Sequence, residues 1–364
     1  MGGAGNSRRR CSKRRNTTAI MTASQTTSRY LRQTIFPGIG EAGQQKLLEA
    51  RVIIIGCGAT GTVIANHLAR TGVGQLTVVD RDFIELNNLQ RQLLFDENDL
   101  AQNLPKAIAA ERKLRAINSD IEVRGIVSDV NPENIEALVR GASLVMDGTD
   151  NFEARYIIND ACLKHNIPWI YTGAVATYGM SQTIIPGQSA CLRCLVNEMP
   201  PPGTSPTCDT AGVVGPVVSA IASVSATEAI KLIVGNGELN GGIIHFDLWY
   251  NSFDQFGSSG PRHDCPACQQ HNFEFLNQEK GGQIANLCGR DAVQIRQPGG
   301  NKISLSEIAE RLRTVSDITA FNDYLLRFSV DGYEITLFAD SRAIIKGTED
   351  ESVARGLFAK YVGT

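Results

Sequence analysis

The chain has 364 residues, of which 42% are hydrophobic and 20% charged, so it holds enough apolar material for a sizeable core and is not a disordered chain. Its formal charge of −3 gives no reason to expect nucleic acid as the main partner, and the balance is uneven: Arg8, Arg9, Arg10, Lys13, Arg14 and Arg15 crowd the first twenty residues, and without them 29 of the 35 basic residues face 38 acidic ones. No unbroken apolar run of about 18 residues occurs and no apolar stretch of secretory type follows the basic start, so the expectation is a cytoplasmic protein with no membrane span.

Residues 1–28 are rich in Ser, Thr, Arg and Gly and lack apolar periodicity, which predicts a disordered head. It reads as an organellar transit peptide, as a basic targeting patch, or as an upstream extension with Met21 as the true initiator. Order begins with the β-branched run Arg51–Ile55, a buried strand, followed at once by Gly56, Gly58 and Gly61 in the pattern GxGxxG. Helical apolar spacing follows from Thr62 to Arg70, and a second strand, Leu76–Asp80, ends in an acid. Strand, glycine turn, helix, strand and acid in this order predict a nucleotide phosphate at the helix N-terminus and a ribose on Asp80. The loop alone does not choose between NAD and ATP.

The next residues carry that choice. Asp82, Asn88, Arg91 and Gln92 lie within a dozen positions of Asp80, and Lys106 opens a helix expected over 107–117 with Pro105 in its first turn. A nicotinamide needs no such polar and basic cluster after the ribose acid, whereas each triphosphate oxygen taken from water needs a donor or a cation. Leu144–Asp147 reads as a short strand whose terminal carboxylate lies where open α/β sheets bind ligands, suited to Mg2+ on the phosphates, and the stretch from Asp150 to Glu153 reads as a helix cap.

Nine cysteines are too sparse for a disulfide scaffold, but Cys191/Cys194 and Cys265/Cys268 are two CxxC knuckles, a set suited to structural tetrahedral zinc. Cys208 lies in a polar loop, 205–212, ahead of an apolar helix expected over 213–234, a setting that makes it a candidate nucleophile. Cys57 and Cys162 read as packing residues. Residues 269–282 read as a linker. Beyond it come a strand-like stretch from Cys288 to Ile295, a helix at Leu305–Leu312, strands over 324–330 and 333–338 joined at Asp331-Gly332, a strand at 343–345 and a last helix over 351–361. These make a small α+β module without a rhodanese-type active-site loop, and Cys288 is either a sulfur acceptor or a packing thiol.

Gly56 to Gly61, Asp80-Arg-Asp82, Asn88-Leu-Gln-Arg91-Gln92, Lys106, Asp147-Gly-Thr-Asp-Asn and the upstream Arg29-Tyr-Leu-Arg32-Gln together resemble the ThiF/MoeB branch of the E1-like (ubiquitin-activating) adenylyltransferases, over about Arg29 to Cys268. The resemblance implies a Rossmann-like E1/ThiF fold, α/β, with a mixed, mainly parallel sheet. It divides the chain into a head (1–28), an ATP-binding adenylyltransferase domain with a zinc site (29–270) and a C-terminal α+β extension (283–364). It implies an enzyme that uses ATP and Mg2+ to adenylate the C-terminal Gly-Gly carboxylate of a small ubiquitin-like sulfur carrier of ThiS or MoaD type, with a cysteine desulfurase or other persulfide donor downstream. Asp80 would hold the ribose, Asn88, Arg91 and Lys106 the phosphates, and Asp147 the magnesium. Arg32 would reach the partner subunit's nucleotide in a homodimer, and Cys208 would take the carrier onto sulfur.

Three other readings stand beside this one. They are a nicotinamide oxidoreductase, an inactive scaffold half of a heterodimer, and the same adenylation chemistry on another acceptor such as a modified tRNA base or a peptide. Thiamine and molybdenum cofactor routes both use such motifs, with the tail from Cys288 tilting the reading to thiamine.

Overall fold

In the computed structural model the described residues are 28–363, apart from 202–203, 205, 258–259, 278–283, 288–291 and 296–302. The basic head and Cys288 therefore lie outside the described residues.

The run Arg51–Ile55 forms strand β1, apolar on both faces, as a strand covered on two sides must be. Side chains alternate across it: Val52 and Ile54 enter one core with the helices Ala59–Thr71, Lys106–Ile117 and Gly215–Val234, and Ile53 and Ile55 enter another beneath the helix Phe152–Lys164. The further strands are β2 (Gln75–Asp80), β3 (Glu122–Val127), β4 (Leu144–Asp147), β5 (Trp169–Val175), β6 (Tyr178–Ile184), β7 (Gly242–Asp247) and β8 (Ser252–Gly257). They form one eight-stranded sheet in the order β3-β2-β1-β4-β5-β6-β7-β8. The first five strands run parallel and the last three add antiparallel. Chain order reverses between β1 and β4, and in open sheets ligands sit outside the carboxyl ends at such a switch.

The helix Gly215–Val234 is long and apolar enough, by length and composition, to cross a bilayer. The sequence reading missed this because Ser219, Ser223, Ser225, Thr227, Glu228 and Lys231 break the apolar run. Here it is a core helix: Ser225 shares a buried hydroxyl cluster with Thr172 and Ser181, and buried Glu228 accepts from Thr183 and from the Asn240 amide.

A second sheet of six antiparallel strands holds β9 (Ile284–Leu287), β10 (Ala292–Ile295), β11 (Asp317–Phe321), β12 (Leu325–Val330), β13 (Tyr333–Phe338) and β14 (Ala343–Lys346). Its core contains the helices Leu305–Leu312 and Glu351–Tyr361. Asp331 and Gly332 turn the β12–β13 hairpin with φ of 52° and 81°, as an Asp-Gly pair favours. The stretch read as a linker contains a short helix, Glu274–Asn277, whose Phe275 is buried against Tyr156. The cap expected at Asp150 is one residue later, where Asn151 accepts from the Ala154 amide.

Candidate functional site

The turn after β1 is built so that backbone meets backbone. Gly56 has φ of +88°, and a Cβ on Gly61 would stand 2.0 Å from the Gly56 carbonyl oxygen, so only glycine fits. This contact sets the helix Ala59–Thr71 with its N-terminus toward the crevice, close against the Gly148 backbone after β4. Gly58 is that helix's N-cap.

Asp80 closes β2 and turns back on the glycine loop. One carboxylate oxygen accepts the Cys57 amide at 2.6 Å and the other accepts the Asp82 amide at 2.6 Å. Asp82 lies 3.5 Å from the Lys106 ammonium, and the Lys106 amide donates to the Asp82 carbonyl at 2.9 Å. Lys106 is only 7% exposed. Burial works to lower its pKa, but Asp82 and Asp80 outweigh that and hold it above the ordinary value. Burial raises Asp80, and Lys106 pulls it back. The result is a compact group of two carboxylates and one ammonium beside a helix N-terminus at the carboxyl edge of the sheet.

The segment after Asp82 folds as a tight turn. Asn88 is buried and caps it, with its side-chain oxygen accepting the Glu85 amide. Arg91 donates to the Asn87 carbonyl at 2.7 Å. Gln92 is 3% exposed, and its Oε1 has no hydrogen-bond partner among the described residues, which marks a place for a donor from outside the chain.

Asp147 is fully buried at the end of β4. Its Oδ1 accepts the Thr149 amide and hydroxyl at 2.8 and 2.7 Å, and its Oδ2 accepts Arg155 Nε at 3.0 Å. A carboxylate offers about four acceptor sites, so Oδ2 retains one. Burial raises this carboxyl, against the pull of Arg155. Arg155 also donates to the Thr149 and Thr172 carbonyls and lies over the Tyr171 ring at 5.0 Å. Sequence reasoning missed Arg155; its signal was a lone basic residue within the buried stretch of a helix. Gly148, part of the Asp147-Gly-Thr-Asp-Asn motif but given no role there, is also sterically required, since a Cβ would meet the Gly56 oxygen at 2.4 Å.

Cys208 opens the four-residue helix Cys208–Ala211, and its thiol donates to the Ala174 carbonyl at 3.5 Å. Thr172, which Arg155 reaches, is two residues earlier on β5, so the two carbonyls lie on the same edge about 7 Å apart. Arg32 is placed elsewhere. It is exposed on the short helix Leu31–Thr34, where the neighbouring Gln33 donates to the carbonyl of Thr71, the last residue of its helix and on the amino-end side of the sheet. The fold thus gathers Asp80, Asp82, Lys106 and the glycine loop, sets Asp147 across the crevice, and leaves Arg32 away from its own chain's cluster.

Cys191, Cys194, Cys265 and Cys268 converge with all four sulfurs within 4.8 Å of one another. Three of the separations are 3.8, 3.6 and 3.5 Å. Sulfurs at the ~2.3 Å zinc–thiolate bond length would stand about 3.8 Å apart at tetrahedral corners. The donor set therefore fits structural zinc, with the Arg262 amide donating to Cys194 Sγ at 3.3 Å.

The model of the ThiF family matches residues 30–267. The sulfur carrier protein ThiS adenylyltransferase of Bacillus subtilis is 44% identical over 338 residues, covering 93% of this chain and 100% of that protein. The SAMP-activating enzyme E1 of Haloferax volcanii is 37% identical over 250 residues, covering 68% and 91%. Among solved structures, E. coli MccB with AMPCPP and MccA superposes with a TM-score of 0.58 at 27% identity, covering 66% of this chain and 74% of that one.

Proposed function

Because the chain belongs to the ThiF family, we propose that it binds ATP and adenylates the C-terminal carboxylate of a small ubiquitin-like sulfur carrier of ThiS type. The observation that carries this is the 44% identity to a ThiS adenylyltransferase over 93% of this chain and 100% of that protein. The likeness to MccB is lower, 27% identity over 66% of this chain, so the same chemistry on another acceptor is the weaker reading. Residues 29–270 perform the chemistry and hold the zinc, and residues 283–364 form a smaller module on it.

In this reading the glycine loop and helix N-terminus receive the phosphates and Asp80 holds the ribose. Asn88, Arg91 and Lys106 neutralise the triphosphate, and Gln92 Oε1 accepts from the bound nucleotide or an ordered water. The acceptor site left on Asp147 Oδ2 would hold a magnesium ion, which would supply charge neutralisation at the triphosphate. The carrier's carboxylate is already ionised at neutral pH, so no general base is needed. One of its oxygens bonds to the α-phosphorus, the bond to pyrophosphate breaks, and an acyl-adenylate remains. The protein's work is to bring two anions together and to stabilise the charge that builds at phosphorus. Arg32, turned from its own site, serves the partner's in a homodimer. The Cys208 sulfur bonds to the carrier's acyl carbon as the acyl–phosphate bond breaks, AMP leaves and the thiol proton passes to water; sulfur then comes from a cysteine desulfurase or other persulfide donor, and the setting is the cytoplasm.

ATP–pyrophosphate exchange with purified carriers, each with and without its terminal Gly-Gly, tests this. Exchange with an intact ThiS-type carrier and none with the truncated one is the expected result. If none of the carriers supports exchange, the reading is overturned.

A further inference from the structure

The second sheet packs on the segment that joins Asp80 to Lys106, and its side of the central contact is built from buried groups, Arg342 and Phe338. Arg342, immediately before β14, is 1% exposed, yet its guanidinium is not spent on its own sheet alone. Nη1 donates to Gln294 Oε1 at 3.3 Å, while Nη2 crosses to donate to the Arg81 carbonyl at 2.7 Å. The guanidinium lies over the Phe338 ring at 4.1 Å, and that ring stacks on Phe83 with centroids 5.3 Å apart. Arg342, Phe338 and Phe83 thus form a three-layer stack whose last member belongs to the segment between Asp80 and Lys106.

That segment is held from both sides. Phe83 pairs as a β-bridge with Pro105, and Asp82 accepts the Lys106 amide, so its two ends are tied together. Asn322, just after β11, donates to the Asn103 carbonyl at 3.0 Å on the returning side. Arg81 in turn donates to Asp129 at 3.0 Å. With its carbonyl fixed by Arg342, the backbone that aims Asp82 at Lys106 has little freedom left.

The geometry points to Arg342 as a positioning residue for adenylation: through the Arg81 carbonyl and the Phe338–Phe83 stack, the C-terminal sheet sets the segment that carries Asp82 and orients Lys106 toward the triphosphate. This rests on the ATP-site reading above but not on the identity of the acceptor. A buried hydrogen bond from a charged donor, together with the loss of fixed geometry, predicts that Arg342→Ala weakens ATP binding roughly tenfold or more.

The experiment uses the full chain. ATP affinity is measured by calorimetry without carrier, and KM for ATP and kcat by pyrophosphate exchange with the carrier. For Arg342→Ala the expected result is weaker ATP binding and a raised KM for ATP, with KM for the carrier unchanged. Arg342→Lys, which keeps a donor but not the flat stack, should recover part of the loss. Phe338→Leu, which removes the ring and spares the hydrogen bonds, should give a smaller shift in the same direction and serves where Arg342→Ala does not fold. Wild-type affinity for ATP in folded Arg342→Ala or, if that variant does not fold, in folded Phe338→Leu overturns the inference. Equal losses in ATP and carrier parameters with no recovery in Arg342→Lys also overturn it. If wild type binds ATP and Arg342→Ala binds it weakly while no carrier supports exchange, the acceptor reading fails and this inference stands.

Discussion

Asp147 and Arg155 meet at 3.0 Å in the interior, one fully buried and the other nearly so. A buried pair contributes little net stability, but removing one member strands the other. Arg155→Ala should therefore cost about 3–5 kcal/mol. Urea unfolding measures this, and a loss below about 1 kcal/mol would mean that solvent reaches Asp147 once the arginine is gone.

A site completed by the partner chain predicts complementation. Arg32→Ala and Lys106→Ala homodimers should each be nearly inactive in pyrophosphate exchange. After unfolding and co-refolding in equal amounts, about a quarter of the sites combine an intact Arg32 with an intact Lys106, and activity should return to that level. No recovery would remove Arg32 from the partner's site.

Asp160 supplies a pH dependence separate from catalysis. Burial pushes its carboxyl up to about 6, against the Phe275 amide that donates to it. The sign follows from the raised value. Between the ordinary carboxylate pKa and about 6 the folded state holds a proton that the unfolded state has lost, so stability falls as pH rises through this window. Asp160→Asn keeps an acceptor for Phe275 and cannot ionise. Its advantage over wild type should be near zero at acid pH and grow to no more than about 3 kcal/mol above pH 6. Unfolding midpoints from acid to neutral pH would show a flat difference if Asp160 titrates normally.

Cys208→Ala should still form the acyl-adenylate, because its thiol lies against Ala174 on β5 and not among the Lys106 group. Mass spectrometry under denaturing conditions should then find no sulfur-linked carrier where wild type shows one. Unchanged product formation would remove the thiol from the pathway.

Much of this was legible in the chain. The β1 run, the glycine turn and the acid ending β2 are local signals, with alternation and backbone sterics fixing each within a few residues. The paired cysteines were legible because metal spacing is local even when the pairs are distant. Strand β5 and the antiparallel strands β6 to β8 had no sequence expectation, since their partners are set by register across the sheet. The edge strand β11 was missed because its residues are only partly covered. Arg155 and Arg342 were missed for one reason: each is a surface-type residue whose burial depends on a partner far along the chain or in another element.

The four-sulfur cluster joins positions 74 residues apart. With a zinc ion on the four sulfurs, everything between them, including Cys208, the helix Gly215–Val234 and strands β7 and β8, would be a closed ring and not a stretch of chain pinned at one end. Closing a ring of that size removes about 4 kcal/mol of freedom from the unfolded chain in the entropic picture. Withdrawing the ion would reopen it, so a protease that spares the loaded enzyme should find its first cut in this span.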